Sequence, residues 1–544
     1  MADSSDLFRR LEQLNDIGAA LSKERDTNRL LESILIAAKT ITHADGGTLY
    51  RMTADGRALR FEILRTDSLK IAMGGTTGNA INFPNLPLAK ETGERNDSMV
   101  AAYAAIHDKT VNIADAYTEA GFDFSGTRSF DQRTGYRSQS FLTVPMKNHE
   151  AEIIGVLQLI NAVDPDTGKV TTFSSADQSL AESLASQAAI ALTNRLLITQ
   201  LEELFESFIN LINLAIDEKS PYTGGHCQRV PALTMMLAEA ADATLEGPLA
   251  AFRMDERDRY ELKIAGLLHD CGKVTTPVHV VDKATKLQTL FDRIHLIDTR
   301  FEVLKRDAEI DALRRQLALR ECVDAGAEAR IRQDCQEQVR LLDADREFLR
   351  KANVGSEKMG DADLQRVHDI AAGRKWRNVD GVEAEFLSAE ETTNLAIRAG
   401  TLTQKEREII NHHIVATIRM LEQLPWPKHL TKVPEYAGGH HERMDGKGYP
   451  KGLTREQMSW QARMMGIADI FEALTARDRP YKPGMKLSQA MDIMGNFKSN
   501  GHIDPDLFDV FVRERVYLKY AQQFLDPQQI DEVADQAGTA DGKA

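Results

Sequence analysis

Two short stretches of this 544-residue chain combine metal-ligand side chains with the residues of a tight turn. In HDCGK, His269 stands beside Asp270, and a histidine next to a carboxylate that can bridge two cations suits a dinuclear hydrolytic centre. In HHERMDGKGYP, His440 and His441 precede a glycine-rich turn that ends in Tyr-Pro. Neighbouring residues on a helix point about 100° apart, so these two histidines suit two different ions. The pattern therefore predicts a two-metal site.

Taken in this order, HDCGK and HHERMDGKGYP resemble the motifs of the HD-GYP family, bacterial phosphodiesterases of the HD superfamily that linearise cyclic di-GMP. The resemblance implies hydrolysis of cyclic di-GMP to pGpG and leaves open a second cut to GMP. When Leu402 and Thr403 are aligned with the start of the corresponding family helix, the ligand falls on His413 and not on His412. The family's metal-ligand positions correspond to these residues of the chain: His226, His269, Asp270, His413, His440, His441 and Asp469.

The resemblance also implies how many metal ions the chain holds. A minimal HD phosphohydrolase needs His226, His269, Asp270 and Asp469 for one metal, so the additional histidines imply a second. Some family members hold a third metal through a glutamate four residues before the first histidine, where this chain has Tyr222. We therefore expect two divalent ions per chain, bridged by Asp270 at a separation of about 3.5 to 4 Å. Imidazole and carboxylate ligands suit iron, manganese, zinc or nickel, and the resemblance favours iron or manganese.

Catalysis and substrate binding are assigned to side chains near these ligands. His269, Asp270 and Lys273 form the predicted catalytic group, and the position of Lys273 beside the His-Asp pair also suits a phosphate clamp. The turn that contains Tyr449 shapes the pocket and, by resemblance, is also a docking surface for a diguanylate cyclase (GGDEF) domain. The predicted substrate-binding residues are Lys273, Arg443, Tyr449, Arg479 and Lys482.

Two other functions stay open from the sequence. The same centre could hydrolyse another cyclic dinucleotide, which a panel of substrates would distinguish. Alternatively, the chain could be a non-catalytic receptor for cyclic di-GMP. A receptor would be expected to have a broken His-Asp pair or to lack Lys273, and both features are intact here.

Composition limits the partners and the compartment. The chain has 82 Asp and Glu against 67 Lys and Arg, a net charge of -15, so binding to nucleic-acid polymers is not expected. Its cysteines show no CxxC pairing, which is typical of reduced thiols. No run of about 18 uncharged apolar residues predicts a membrane span, and the N-terminus does not resemble a signal peptide. We expect a cytoplasmic protein without membrane contact.

The N-terminal region, residues 1–195, has an α+β pattern and resembles a GAF sensor domain. The elements that must position the predicted site follow it. The resemblance rests on FDQRTGYRSQSFLTVPM and VLQLINAV. Cyclic-nucleotide-binding GAF domains have two conserved pairs of residues. The first pair is Asn-Lys; the second is Asp-Glu, which follows a Phe after three intervening residues. In this chain Asn161 precedes Ala162, and Asp177 precedes Gln178. Two interpretations of this domain stay open. It could bind a small molecule such as a cyclic nucleotide, or it could serve only for dimerisation.

Residues 196–218 form a predicted linker helix with an apolar seam. The seam residues are Leu197, Leu201, Leu204, Phe208, Leu211 and Ala215. Their alternating steps of four and three are typical of a coiled coil, which predicts a parallel homodimer that connects sensor to catalyst. An amphipathic helix packed on its own domain would show the same spacing.

Residues 219–525 form the predicted all-α catalytic domain of the HD superfamily, interrupted by a helical insertion at about 284–400. The insertion is rich in Arg, Glu, Ala, Leu and Gln at helical period, which predicts an antiparallel helical hairpin broken near Ala325 and Gly326. Residues 526–544 are predicted to be a flexible tail. The predicted fold class is multidomain: an α+β GAF sensor domain, a coiled-coil linker helix and an all-α catalytic domain with a helical insertion.

Overall fold

The computed structural model of the chain forms two compact units, Met1–Phe205 and Glu206–Ala544. Within these units, the ranges that the structure describes are 2–24, 26–219, 225–319, 325–355, 359–477 and 484–533. The first unit combines helices with an antiparallel sheet and the second is almost entirely helical, which confirms the predicted fold class. Among the described helices, none has the length and apolar content that a membrane span requires.

The first unit contains one antiparallel sheet. Its strands are β1 (Ala44–Met52), β2 (Ala58–Thr66), β3 (Ile71–Gly74), β4 (Leu86–Pro87), β5 (Val111–Ile113), β6 (Phe141–Lys147), β7 (Ile153–Val163) and β8 (Val170–Thr171). The strand order is β3-β2-β1-β7-β6-β5, with β4 paired to β2 and β8 paired to β7. The turn between β1 and β2 contains Gly56 at φ +67°, a left-handed conformation that glycine adopts without strain.

Helices cover the sheet and supply its core. They are α1 (Ala2–Leu21), α2 (Thr27–Thr42), α3 (Val100–His107), α4 (Ser125–Thr134) and α5 (Ser175–Lys219). Asp26 caps α2 by accepting a hydrogen bond from the Arg29 N–H. Ile34 from α2, Leu184 from α5 and Leu157 from β7 share one buried core.

The two residues of the cyclic-nucleotide-binding pattern that this GAF domain retains, Asn161 and Asp177, have structural roles. Asn161 is buried at φ +58°, accepts a hydrogen bond from the Gln139 N–H at 2.7 Å and donates one to the Arg137 carbonyl at 2.8 Å. Asp177 pairs with Arg10 of α1. Both side chains therefore hold elements of the domain together.

The predicted linker lies entirely on α5, which continues through the boundary between the units at Phe205. Its seam residues point outward. Leu201 is 63% exposed, Leu204 53% and Leu211 59%, although leucine is normally buried. This exposed apolar face, formed by the seam residues from Leu197 to Ala215, has no covering partner in the described part of the single chain.

The second unit is a helical domain. Its helices are α6 (His226–Asp242), α7 (Glu256–Leu268), α8 (Val278–Val281), α9 (Ile294–Ala318), α10 (Ala325–Asn353), α11 (Asp361–Gly373), α12 (Ala389–Leu395), α13 (Gln404–Glu422), α14 (Val433–Gly438), α15 (Trp460–Thr475), α16 (Leu487–Ser499), α17 (Pro505–Arg513) and α18 (Val516–Phe524). Helix α6 packs against α7 and α15, and α14 packs against α7 and α13. The predicted ligands lie on these five helices or directly after their ends.

The insertion contains the predicted antiparallel helical hairpin, formed by α9 and α10. Ion pairs join the two helices in antiparallel order, from Asp298 with Arg350 at one end to Arg315 with Asp334 at the other. The prediction of a hairpin alone was nevertheless incomplete. A two-stranded ribbon, β9 (Lys375–Arg377) and β10 (Glu383–Glu385), and helices α11 and α12 complete the insertion.

The insertion has its own hydrophobic core, which includes Phe301, Leu349 and Phe386. Its two ends meet, because the Thr401 hydroxyl donates a hydrogen bond to the Lys283 carbonyl at 2.9 Å. The Lys283 ammonium also pairs with Glu406 at 2.8 Å, in the first turn of α13. The insertion is therefore a self-contained module that leaves and rejoins the domain at one point.

The prediction of a flexible tail from residue 526 was wrong for its first residues. The Gln529 amide donates a hydrogen bond to the Thr475 carbonyl at 2.9 Å, and the Ser488 N–H donates one to Asp531 at 2.9 Å. This segment therefore packs on the ends of α15 and α16. Residues 534–544 lie outside the described ranges.

Candidate metal centre

The fold brings all of the predicted ligands into one cluster. His226 is the first residue of α6, His269 follows the end of α7, and His413 lies on α13. His440 and His441 follow the end of α14, and Asp469 lies on α15. Two sets of donor atoms each lie within 4.8 Å of one another: His226, His269 and Asp270, and His413, His440 and His441. Asp469 Oδ1 lies 3.3 Å from His226 Nε2 and joins the first set.

Three of the histidines are oriented by their own backbone. In each, ring atom Nδ1 lies within hydrogen-bond distance of the carbonyl three residues earlier. Because a carbonyl can only accept, Nδ1 must carry the proton, which leaves the Nε2 lone pair free for a cation. The pairs are His269 with Gly266 (2.7 Å), His413 with Ile410 (2.5 Å) and His440 with Ala437 (2.6 Å).

Asp270 lies between the two sets. Its Oδ2 atom is 3.1 Å from His226 Nε2 and 3.2 Å from His269 Nε2, whereas its Oδ1 atom is 3.3 Å from His413 Nε2. The contact with His413 is not a hydrogen bond, because the proton of that ring is on Nδ1. Each carboxylate oxygen of Asp270 therefore faces a different set of histidines, as a bridging ligand would.

Two buried atoms at this centre test whether cations fit. Asp270 Oδ1 and His440 Nε2 are buried and have no hydrogen-bond partner among the described residues. Leaving a buried acceptor unpaired costs about 1–3 kcal/mol, and both atoms carry lone pairs that point into the cluster. A cation on each side of Asp270 would satisfy both, so the residues present fit a metal centre.

The protonation states of His440, His441 and Asp270 also fit cation binding. Burial lowers the pKa of His441 to about 4 and lowers the pKa of His440 well below its ordinary value. Burial acts to raise the pKa of Asp270, but the charge of Lys273 holds it well below its ordinary value. Neutral imidazoles and an ionised carboxylate are the forms that bind a metal.

Glu472 belongs to this centre and was not predicted. It is buried, and its Oε2 atom lies 2.6 Å from His226 Nδ1 while its Oε1 atom accepts from Arg229 at 2.7 Å. Burial acts to lower the pKa of His226, but Asp270, Asp469 and Glu472 outweigh it and raise this pKa well above its ordinary value. The sequence does contain a pattern that indicates Glu472. It follows Asp469 by three residues, so the two side chains share a face of α15.

Some of the remaining predicted residues lie within the described ranges and others do not. Lys273 lies beside the centre, with Nζ 2.5 Å from Asp270 Oδ2. Tyr449 stacks on His441, with ring centroids 4.8 Å apart and an interplanar angle of 24°. Predicted residues that lie outside the described ranges are Tyr222, Arg479 and Lys482.

The turn after the paired histidines is held by a buried carboxylate. Glu442 accepts hydrogen bonds from the N–H groups of Lys451 at 2.7 Å and Leu453 at 2.9 Å. A Cβ atom at Gly448 would lie 2.4 Å from the backbone nitrogen of Arg443, so only glycine fits this close approach. The GYP part of the motif therefore closes a tight loop beside the ligands.

A cavity of about 470 Å³ opens next to the cluster. Its walls include the predicted ligands His440, His441 and Asp469, together with Arg443 and Tyr449, both predicted to bind substrate. His502, which lies outside both motifs, also lines it. A cavity of this size is within the usual range for a small-molecule site, about 300–1,000 Å³.

Family comparisons agree with the two units. Residues 26–192 match the GAF domain, and residues 223–346 and 389–507 match two descriptions of the HD domain. The chain therefore contains a GAF domain followed by an HD domain, which confirms the resemblance drawn from its motifs.

Curated relatives match parts of the chain. A 3′3′-cGAMP-specific phosphodiesterase 1 of Vibrio cholerae is 48% identical over 81 residues, covering 15% of this chain and 19% of that protein. A cyclic di-GMP phosphodiesterase of Pseudomonas aeruginosa is 40% identical over 116 residues, which cover 21% of this chain and 27% of that protein. A 3′3′-cGAMP-specific phosphodiesterase 3 of Vibrio cholerae is 33% identical over 173 residues, which cover 31% of this chain and 30% of that protein. The chain thus spans less than a third of the length of each of these relatives.

Proposed function

We propose that this protein is a metal-dependent phosphodiesterase that hydrolyses cyclic di-GMP to pGpG in the cytoplasm under the control of its GAF domain. The observation that carries the proposal is the position of Asp270, whose two oxygens face two separate sets of histidines. A further cut of pGpG to GMP would use the same centre.

The residues divide into two ligand sets that share Asp270. His226, His269 and Asp469 would hold one divalent ion, and His413, His440 and His441 the other. When bound, the two ions supply an activated water for in-line attack on phosphorus and neutralise charge on the phosphate oxygens. Iron or manganese is the proposed metal, and zinc and nickel would suit the same ligands.

The protein's own side chains orient this centre and the substrate. Lys273 donates to Asp270 Oδ2 at 2.5 Å, which keeps that carboxylate ionised and fixes its rotation. Tyr449 stacks on His441 and limits the positions of its ring. Arg443 lines the adjacent cavity and offers positive charge to a phosphate or base that enters it.

A second candidate substrate is 3′3′-cGAMP. It is favoured by the relative that is 48% identical, which is named as specific for this dinucleotide. Cyclic di-GMP and 3′3′-cGAMP have the same two phosphodiester bonds and differ in one base. The metal centre treats both alike, so the choice between them depends on the walls of the cavity.

Control by the sensor domain completes the proposal. The exposed apolar face of α5 would pair with the same face of a second copy to form a parallel homodimer. A small molecule in the GAF domain, such as a cyclic nucleotide, would then act by favouring one helix packing over another. The turn around Tyr449 is the proposed docking surface for a GGDEF domain.

The test is to measure metal content and turnover on one anaerobic preparation of the full chain. We expect about two ions per chain and release of pGpG from cyclic di-GMP, with 3′3′-cGAMP and cyclic di-AMP assayed in parallel. Turnover of 3′3′-cGAMP alone would favour the second candidate. A metal-loaded protein that binds cyclic di-GMP without hydrolysing it would instead be a receptor and would contradict the proposal.

A further inference from the structure

Helix α5 ends beside the HDCGK motif. Its last residue is Lys219, whose ammonium group donates hydrogen bonds to the backbone carbonyls of Lys273, at 3.3 Å, and of Val274. Both carbonyls belong to a short helical turn, Cys271–Thr275, which directly follows Asp270 and which we call the HD turn. Hydrogen bonds from a charged donor are stronger than those from a neutral one. Lys219 therefore ties the end of α5 to the turn that carries the predicted catalytic lysine.

The part of α5 that precedes Lys219 is also held in place. Ile209 and Ile216 are buried, and Glu206 accepts a hydrogen bond from Lys263 of α7 at 2.9 Å. This ion pair is partly exposed and adds little stability, so the buried isoleucines contribute most to holding the helix. The last turns of α5 therefore have a fixed position from which Lys219 reaches the HD turn.

Helix α13 holds the HD turn as well. The Gly272 N–H donates to the Thr417 hydroxyl at 2.9 Å, and a Cβ atom at Gly272 would lie 2.0 Å from the His413 carbonyl oxygen. Only glycine fits this close approach, so the first half of the turn is in contact with α13. The second half is held by Lys219. The HD turn thus has one anchor on α13 and one on α5.

We propose that Lys219 is a positioning residue that fixes the HD turn so that Lys273 keeps its contact with Asp270. The inference rests on the proposed function, because it concerns the reaction at the same centre. Lys273 Nζ lies 2.5 Å from Asp270 Oδ2, and a long, flexible side chain keeps one position only when its backbone is fixed. Without Lys219, the turn would keep its anchor at Gly272 and lose the one at Lys273 and Val274. Lys273 would then spend less time on the carboxylate that the proposed ions share.

The first test does not depend on activity. Hydrogen exchange is followed in the peptide 270–276 of the full chain and of Lys219→Met, which keeps the apolar stem of the side chain but cannot donate. This peptide includes the Thr276 N–H, which donates to the Lys273 carbonyl at 3.1 Å, so its exchange reports opening of the turn. We expect exchange to become about tenfold faster, since hydrogen bonds from a charged donor are worth about that factor. Lys428→Met, the same change at an exposed lysine of the same unit, should have no effect.

The second test is a double-mutant cycle on turnover. Lys219→Met should lower kcat about tenfold with little change in KM, because Lys219 acts on the HD turn and not on the substrate. Lys219→Arg keeps a charged donor and should retain most of the activity. Lys219→Met combined with Lys273→Met should be no slower than Lys273→Met alone, because residues that act through one contact are not additive. Fully additive losses would overturn the proposal, since Lys219 would then act by another route.

The cycle is measured on cyclic di-GMP and on bis(p-nitrophenyl) phosphate, a simple diester without bases. A starting protein that cleaves only the simple diester would overturn the proposed substrate, and the cycle on that diester would still decide the role of Lys219. A starting protein that cleaves neither would overturn the proposed function, and hydrogen exchange would then decide whether Lys219 fixes the turn. Unchanged exchange in Lys219→Met, or unchanged turnover in an active protein, would overturn the role of Lys219 alone.

Discussion

His226 and Glu472 are 246 positions apart in the chain, yet their Nδ1 and Oε2 atoms are 2.6 Å apart. Glu472 orients the first histidine of the candidate metal centre and is itself held by Arg229. A carboxylate behind a ligating histidine raises the basicity of that ligand and fixes its ring. The centre therefore depends on a residue that no motif contains.

This contact predicts that Glu472→Gln weakens the centre without removing a ligand. Loss of such a partner lowers metal affinity or activity by about 10- to 100-fold. Metal titration of the variant, followed by turnover at saturating metal, measures both. Glu239→Gln, an exposed change on the same helix as His226, is the matched control. Wild-type metal affinity in Glu472→Gln would show that Glu472 only supports packing.

Asp270→Ala should abolish turnover while the protein stays folded. The substitution removes the carboxylate whose two oxygens face the two histidine sets, so the separation of the two proposed ions would no longer be fixed. Activity, circular dichroism and metal content are measured on the same sample. Activity close to that of the unchanged protein would refute the assignment of Asp270 as a bridge.

The number of metals should be about two per chain, because Tyr222 stands where a third-metal glutamate would be expected. Elemental analysis of fully loaded protein gives this number directly. Tyr222→Glu is expected to raise it, since a carboxylate binds a cation far better than a neutral phenol. Three tightly held ions in the unmodified protein would contradict the prediction.

Leu204→Asp should weaken the dimer and uncouple the sensor from the catalyst. A charge placed in the middle of the exposed apolar face would have to be buried in a paired seam. Coupling of about 1 to 3 kcal/mol is enough to change activity several-fold to a hundredfold. Sedimentation and the response to GAF deletion are measured together, with the exposed Asn210→Asp as control. A variant that is still dimeric, with an unchanged response, would mean that the face does not form the interface.

Removal of the insertion should leave the catalytic domain folded. Its ends meet at Lys283 and Thr401, and its hydrophobic core is its own. A short Gly-Ser linker in place of residues 285–400 therefore closes the same gap. Thermal unfolding and metal content are the readouts, and turnover then shows whether the insertion affects access to the site. An insoluble or metal-free product would mean that the module supports the centre.

The sequence by itself determined the types of the candidate ligands, because the motifs HDCGK and HHERMDGKGYP contain the histidines and carboxylates that suit a metal centre. It also determined the order of an α+β unit before a helical unit and the hairpin of the insertion, because hydrophobic periodicity is a local property of the chain. It did not predict the ribbon of β9 and β10 or helices α11 and α12. Its choice of His413 over His412 agrees with the structure, where His413 is buried and faces Asp270.

Only the tertiary structure decided which groups meet. The contact of Glu472 with His226, the two-sided position of Asp270 and the entry of His502 into the cavity join residues from separate helices. The core of the insertion and the packing of Gln529 against α15 are of the same kind. Contacts between distant residues leave no periodic pattern in the chain, so they are fixed only when the helices pack and the buried polar groups must find partners.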